Sequence, residues 1–177
     1  MKRILIMASI CLSIGFAACN SSTSDKEVAK ATLNSTASNT QIGTVKFVST
    51  SDGKIKMDLE LNFPEKADST VAVHFHEHGD CGNMGENAHG HWNPTNEAHG
   101  KWGSAAYHSG DIGNIKLDAK GHGTISLTTD RWSVTANDVK NIIGRGIIVH
   151  GGTDDYTTQP TGNSGPRVGC GVIEEVK

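Results

Sequence analysis

The chain has 177 residues, a formal net charge of −3 at pH 7, 36% hydrophobic and 20% charged residues, and unusually many glycines (21) and histidines (9). That length fits a single domain able to bury a real core. Its mild acidity, without a basic stripe, argues against a nucleic-acid partner. Met1-Lys2-Arg3 and the apolar run that follows, ending in small residues before Cys19, read as an export signal too short to span a bilayer. Phe16-Ala17-Ala18-Cys19 resembles a bacterial lipobox, so residues 1–18 are expected to leave as a lipoprotein-type signal peptide and Cys19 to become a lipid anchor. Residues 19–27 are polar and are expected to form a flexible tether, with one folded domain over 28–177. The expected place is the cell envelope, as an outer-membrane lipoprotein facing the periplasm or the surface and touching the membrane through its lipid alone.

Residues 28–34 and 41–50 read as the first strands. Residues 54–63 alternate Ile55, Met57, Leu59, Leu61 and Phe63 with Lys56, Asp58, Glu60 and Asn62, the period of two of a half-buried strand. Ser51-Asp52-Gly53 supplies the hairpin turn before it. A turn at 64–68 leads to a strand at 70–77, then to a long Gly-, Asn- and His-rich stretch over 79–110 without sustained periodicity. Residues 112–119 and 122–129 flank a hairpin at Lys120-Gly121, and 131–144 is a connection expected to hold a helical turn. A short buried strand at 146–150, a second long loop at 151–166 and a closing strand at 168–176 complete the chain. About eight short strands separated by turn signals predict an all-β protein, an antiparallel Greek-key β-sandwich or flattened barrel with two long loops.

Of the nine histidines, His74, His76, His78, His89, His91, His99 and His108 crowd into one stretch, leaving His122 and His150 downstream. Alternate strand residues share a face, so His74 and His76 can bind one ion. Asp111 follows His108 by three residues and adds a hard oxygen of the kind a tetrahedral zinc site uses. His150, at the end of a distant strand, can complete a second set of four imidazoles, a donor set that suits copper. Among the four cysteines, Cys11 lies in the apolar run and Cys19 at the anchor, which leaves Cys81 and Cys170 as natural disulfide partners in an oxidising compartment. Sequence alone leaves the geometry of that pair open.

The motifs H-F-H-E-H-G-D-C at 74–81, G-H-W-N-P at 90–94, A-H-G at 98–100, H-S-G-D-I-G-N at 108–114, I-I-G-R at 142–145, I-V-H at 148–150 and G-N-S-G-P-R-V-G-C-G-V-I at 162–173 occur in this order. Together they resemble the copper-zinc superoxide dismutases, across nearly all of residues 28–177. The resemblance implies copper held by His74, His76, His91 and His150, and zinc held by His91, His99, His108 and Asp111, with His91 bridging the two ions. It implies that Asp154 links His74 to His99, that Arg167 guides the superoxide anion, and that Cys81 and Cys170 are bonded. The implied reaction disproportionates superoxide to dioxygen and hydrogen peroxide, with His91 taking up and returning a proton, as a protection of the cell envelope from oxidative damage.

The other reading of the same ligands is a non-catalytic lipoprotein that buffers or delivers copper or zinc. It would be marked by a missing copper ligand or a missing arginine, and neither is missing. A homodimer is left open. His78, His89 and His122 have no role in the family and read as loop and strand-surface residues; Trp92 and Trp102 read as packing residues, and Trp132 finds no place. Two departures stand out: Ala72-Val73 where the family has Gly and a particular apolar residue, and a 151–166 loop without Lys or Arg, which rests steering of the anion on Arg167.

Overall fold

Alternation of apolar and polar residues governs the barrel wall. In β3 (Ile55–Asn62) the residues Ile55, Met57, Leu59 and Leu61 are buried, while Glu60 and Asn62 face out. A computed structural model describes residues 25–177; the expected signal peptide, the Cys19 anchor and the tether up to residue 24 lie outside the described residues. The remaining strands are β1 (Lys26–Ser35), β2 (Gln41–Ser49), β4 (Thr70–His76), β5 (Asp111–Lys116), β6 (His122–Thr129), β7 (Gly146–His150), β8 (Arg167–Val172) and the two-residue β9 (Glu174–Glu175). Neighbours run β5-β4-β7-β8-β1-β2-β3-β6, all antiparallel, with β9 beside β1. The pairings β3–β6 and β4–β7 skip over intervening strands, the Greek-key crossing predicted for an eight-stranded, nearly closed barrel.

Four local expectations are revised. The first strand begins at Lys26, inside the stretch expected as tether, because Lys26 pairs with Ser49 while its side chain stays in water, so composition there looks like a linker. The connection over 131–144 forms no helical turn; Trp132 and Ile142 are drawn into the core and Ser133 pairs with Asn141. Within 79–110 the chain forms short 3₁₀ turns between Asn83 and Ala88, interrupted by a kink at Met84 and Gly85, both at positive φ. The closing strand breaks at Ile173, which is buried and bonds Arg145 and Gly144, after which the chain moves to β1.

β4 and β7 differ from β3 in being buried on both faces. Val71, Val73 and Phe75 point into the main core with Ile147 and Val149, where Trp132 lies 5.1 Å from Phe75 and 6.3 Å from Phe47. The opposite face carries Ala72, His74 and His76 on β4 and Ile148 and His150 on β7; Ile148 is covered by Ala88 and Cys170. The two long loops fold over this outer face. They turn what would be a solvated surface into a second interior.

Candidate metal centre

The register of β4 against β7 sets His74 opposite Ile148 and Ala72 opposite His150, so His150 is a diagonal neighbour of His74. Ala72, one of the departures, is fully buried with its small side chain across from the His150 ring position. His91 arrives by a different route. The β4–β5 pairing shifts at a bulge between Val73 and His74 and ends at His74–Asp111, beyond which the segment around His91 comes alongside β4, with a His76–His91 bridge and Trp92 N–H donating to the Phe75 carbonyl at 2.8 Å. Gly110 sits in this crossing, where a Cβ would come within 2.6 Å of the Phe75 carbonyl oxygen.

Two four-residue clusters result, His74–His76–His91–His150 and His91–His99–His108–Asp111, each with its candidate donor atoms within 4.8 Å of one another and every member buried. His91 belongs to both. Its ring lies 3.9 Å from His74, 5.1 Å from His76 and 6.1 Å from His150 on one side, and 5.4 Å from His99 and 5.8 Å from His108 on the other.

Hydrogen bonds decide which nitrogen of each ring is spent. His74 Nε2 meets Asp154 Oδ2 at 2.8 Å, His76 Nδ1 meets the His89 carbonyl at 2.9 Å, and His150 Nδ1 meets the Gly165 carbonyl at 3.2 Å. Each ring is thus anchored at its outer nitrogen and turns the other one inward. His76 Nε2 and His150 Nε2 face each other at 3.4 Å. On the other side His99 Nε2 meets Asp154 Oδ1 at 2.9 Å and His91 Nδ1 meets Asp111 Oδ1 at 3.0 Å. His74 Nδ1, His91 Nε2, His99 Nδ1 and His108 Nδ1 are left buried without a hydrogen-bond partner, although His99 Nδ1 and His108 Nδ1 come within 3.0 and 3.2 Å of Asp111 oxygens. Buried polar atoms without partners carry a full desolvation cost. Lone pairs that converge on a common point avoid it by sharing a cation, so both donor sets fit a metal ion.

The electrostatics of the two clusters diverge. Burial, added to by neighbouring rings, lowers His76 to about 2 and His150 to about 3, and it lowers His74 as well. Burial likewise takes His91 to about 4 against the pull of Asp111. These rings are neutral at pH 7 and offer lone pairs. Burial also disfavours charge on His99, but the Asp111 and Asp154 carboxylates beside it win and raise it to about 9. Burial pushes the Asp111 carboxyl up, yet the adjoining rings of His108, His91 and His99 hold it well below the usual carboxylate range. Asp154 is held low in the same way, against burial, by His74 and His99.

Several supports were not foreseen from the sequence. Asn114 clasps Asp154 through two reciprocal bonds of 2.9 Å, and Gln159 clasps the His99 backbone through two more of 2.9 Å. Trp132 has its place here too, donating Nε1–H to the Ser109 carbonyl at 2.8 Å. Amides in polar loops are common, so residue type gave no signal for them. On the other side Cys81 and Cys170 form a disulfide with Cα atoms 5.7 Å apart. It pins the 79–90 loop to β8, next to Arg167, whose guanidinium donates to the Gly85 and His89 carbonyls at 2.6 Å each. The His89 carbonyl therefore holds both Arg167 and His76. Arg167 stands at the edge of the all-imidazole cluster, and its paired strand position is His150.

The copper/zinc superoxide dismutase family model matches residues 41–173. Similar proteins include superoxide dismutase (Cu-Zn) 1 of Aquifex aeolicus, 32% identical over 138 residues that cover 76% of this chain and 80% of that protein. Superoxide dismutase (Cu-Zn) of Cordyceps militaris is 37% identical over 140 residues, covering 74% of this chain and 88% of that protein. Among solved structures, a SOD-like protein from Bacillus subtilis superposes with a TM-score of 0.71 at 25% identity, covering 84% of this chain and 98% of that one.

Proposed function

The chain belongs to the copper/zinc superoxide dismutase family, whose reaction is the disproportionation of superoxide, and we propose that it holds copper through His74, His76, His91 and His150 and zinc through His91, His99, His108 and Asp111. The observation that carries this reading is the set of buried ring nitrogens without hydrogen-bond partners, four of them, distributed over both clusters. Copper, when bound, supplies the one-electron oxidation and reduction that turn two superoxide ions and two protons into dioxygen and hydrogen peroxide.

The protein's own contribution is positioning. Asp154, bonded to one ring of each cluster, fixes two tautomers at once and ties the two cages together. His91 is the shared ring, and its partnerless Nε2 on the all-imidazole side is the atom assigned to hold a proton and return it to product. Arg167 uses one N–H of each terminal nitrogen on a carbonyl, and its Nε faces the Glu86 carboxylate at 3.5 Å, which fixes the guanidinium while leaving the second N–H of each terminal nitrogen for a small anion. With no Lys or Arg in the 151–166 loop, attraction of superoxide rests on this residue.

The test is turnover of tag-free protein loaded with both metals, followed by pulse radiolysis, with His150→Ala as control. Full metal content without superoxide consumption sinks the catalytic reading in favour of metal buffering, and no stoichiometric metal sinks the residue assignment. For the amino terminus we infer cleavage before Cys19, lipidation of that cysteine and a role in shielding the cell envelope, a reading supported by the basic, apolar and small-residue order of residues 1–19. Mass spectrometry of the mature amino terminus decides it; an unmodified Cys19 or a different first residue overturns it.

A further inference from the structure

Beyond the two buried clusters, a third set of metal-donor side chains gathers at the surface: Glu77, His78 and His89, all exposed, with donor atoms within 4.8 Å of one another. The backbone builds this set deliberately. Just past the end of β4, Glu77 N–H donates to the Gly90 carbonyl at 3.0 Å and His78 N–H to the Ala88 carbonyl at 3.2 Å. The pairing brings residue 89 beside residues 77 and 78, and the His78 and His89 rings stand 4.7 Å apart and nearly perpendicular. His89 adopts φ +62°, a left-handed backbone that glycine or asparagine takes more readily than histidine. Among the described residues neither imidazole nor the Glu77 carboxylate has a hydrogen-bond or ion-pair partner, in contrast to the surface pair His122–Glu60 at 3.1 Å.

We propose that Glu77, His78 and His89 form a third, solvent-open site for a divalent transition-metal ion, copper before zinc. Two imidazole nitrogens and one carboxylate oxygen suit borderline cations, among which Cu(II) binds such donors most strongly. Three protein donors leave the remaining positions to water, so the ion exchanges with solvent and binds more weakly than in the buried cages. The site is joined to the copper-side cage by one residue, since the carbonyl of His89 accepts from both His76 Nδ1 and Arg167 Nη2.

The experiment uses tag-free holoprotein with copper and zinc already in the buried sites, dialysed against micromolar copper sulfate in a non-coordinating buffer and read by elemental analysis and electron paramagnetic resonance. Wild type takes up one further Cu(II) per chain, with nitrogen hyperfine structure. The variant His78→Gln, at an exposed side chain outside both buried clusters, keeps the two buried metals and its melting temperature while the further copper binds at least about tenfold more weakly. Glu77→Gln, a change at one exposed side chain, weakens the same copper, and His122→Gln leaves it unchanged. No further copper in wild type up to about 100 µM, or wild-type uptake in both His78→Gln and Glu77→Gln, overturns the proposal.

Discussion

His74, His76 and His150 stand on β4 and β7, strands whose inner faces are locked into the core, whereas His99 and His108 hang on a loop. The strand-borne cage has four imidazoles and no carboxylate, and burial drives its rings neutral. The loop-borne cage includes Asp111, and its His99 is held charged at neutral pH in the absence of metal. Rigid backbone and neutral donors suit an ion that must change charge without changing place. A carboxylate and a loop backbone held by side-chain bonds suit an ion that adds its own bonds to those that fix the loop.

His91 is the one ring common to both cages, so its removal separates shared from private function most sharply. His91→Ala is expected to lose metal from both sites and to cut superoxide turnover by about 10³-fold or more, roughly 4 kcal/mol of barrier. His108→Ala is expected to lose zinc while copper stays near one per chain. Elemental analysis of both proteins distinguishes the outcomes, and a His91→Ala protein that keeps both ions would contradict a shared ligand. The cages are also anchored differently: the all-imidazole side by the Cys81–Cys170 bond, the Asp111 side by Trp132, Gln159 and Arg131, whose guanidinium pairs with Glu97 and lies over Tyr107. A Cys81→Ser, Cys170→Ser double variant opens a connection of 89 residues and should lose about 4 kcal/mol of stability in urea unfolding. Its copper-side loop should loosen more than its zinc-side loop in hydrogen exchange at Gly85 and at Gln159. Equal loosening would show that the disulfide does not belong to one cage.

Asp154 and Gly162 refine the contrast at lower amplitude. Asp154→Asn keeps the shape but weakens the bonds to His74 and His99, and metal affinity at both cages is expected to fall about 10- to 100-fold. Gly162→Ala reaches one cage first: at φ +69° its added methyl would collide with Asp154 Oδ1 and lie 2.6 Å from His99 Nε2. Competition with a chromogenic chelator should show zinc weakened more than copper in this variant. The reverse order would mean that the 151–166 loop serves the copper side.

How much of this was readable from the chain follows the same divide. The strand-borne cage was legible because alternation is a local rule: His74 and His76 two apart, buried apolar residues between and before them, His150 closing a five-residue strand. The loop-borne ligands carry no period, and motif order placed them where physics could not. Asn114, Gln159 and the role of Trp132 were invisible, since each acts through a contact made only after the loops close. Lys26 and Glu27 misled for the opposite reason, being strand residues whose side chains are exposed and whose pairing comes entirely from backbone. His78 and His89 looked idle because their neighbourhood forms across the 79–90 loop and not along the sequence.

The subtlest consequence of the divide concerns protons in the metal-free protein. His76, His91 and His150 have folded pKa values near 2, 4 and 3, below the ordinary 6.5. Between about pH 4 and 6.5 the unfolded chain therefore binds more protons at these rings than the native one, and stability falls as pH falls, by up to about 1.4 kcal/mol per pH unit for each ring. His99 runs the other way. Its folded pKa of about 9 lies above 6.5, so its contribution is full below 6.5 and is lost as pH rises toward 9. Urea unfolding of the disulfide-intact apoprotein should thus give a stability maximum near pH 6.5, steeper on the acid side, where these three rings act together with His74, which burial also lowers. In His99→Gln the alkaline slope should flatten while the acid slope persists. A maximum displaced above pH 8, or an unchanged alkaline slope in that variant, would break the assignment of opposite proton linkage to the two cages.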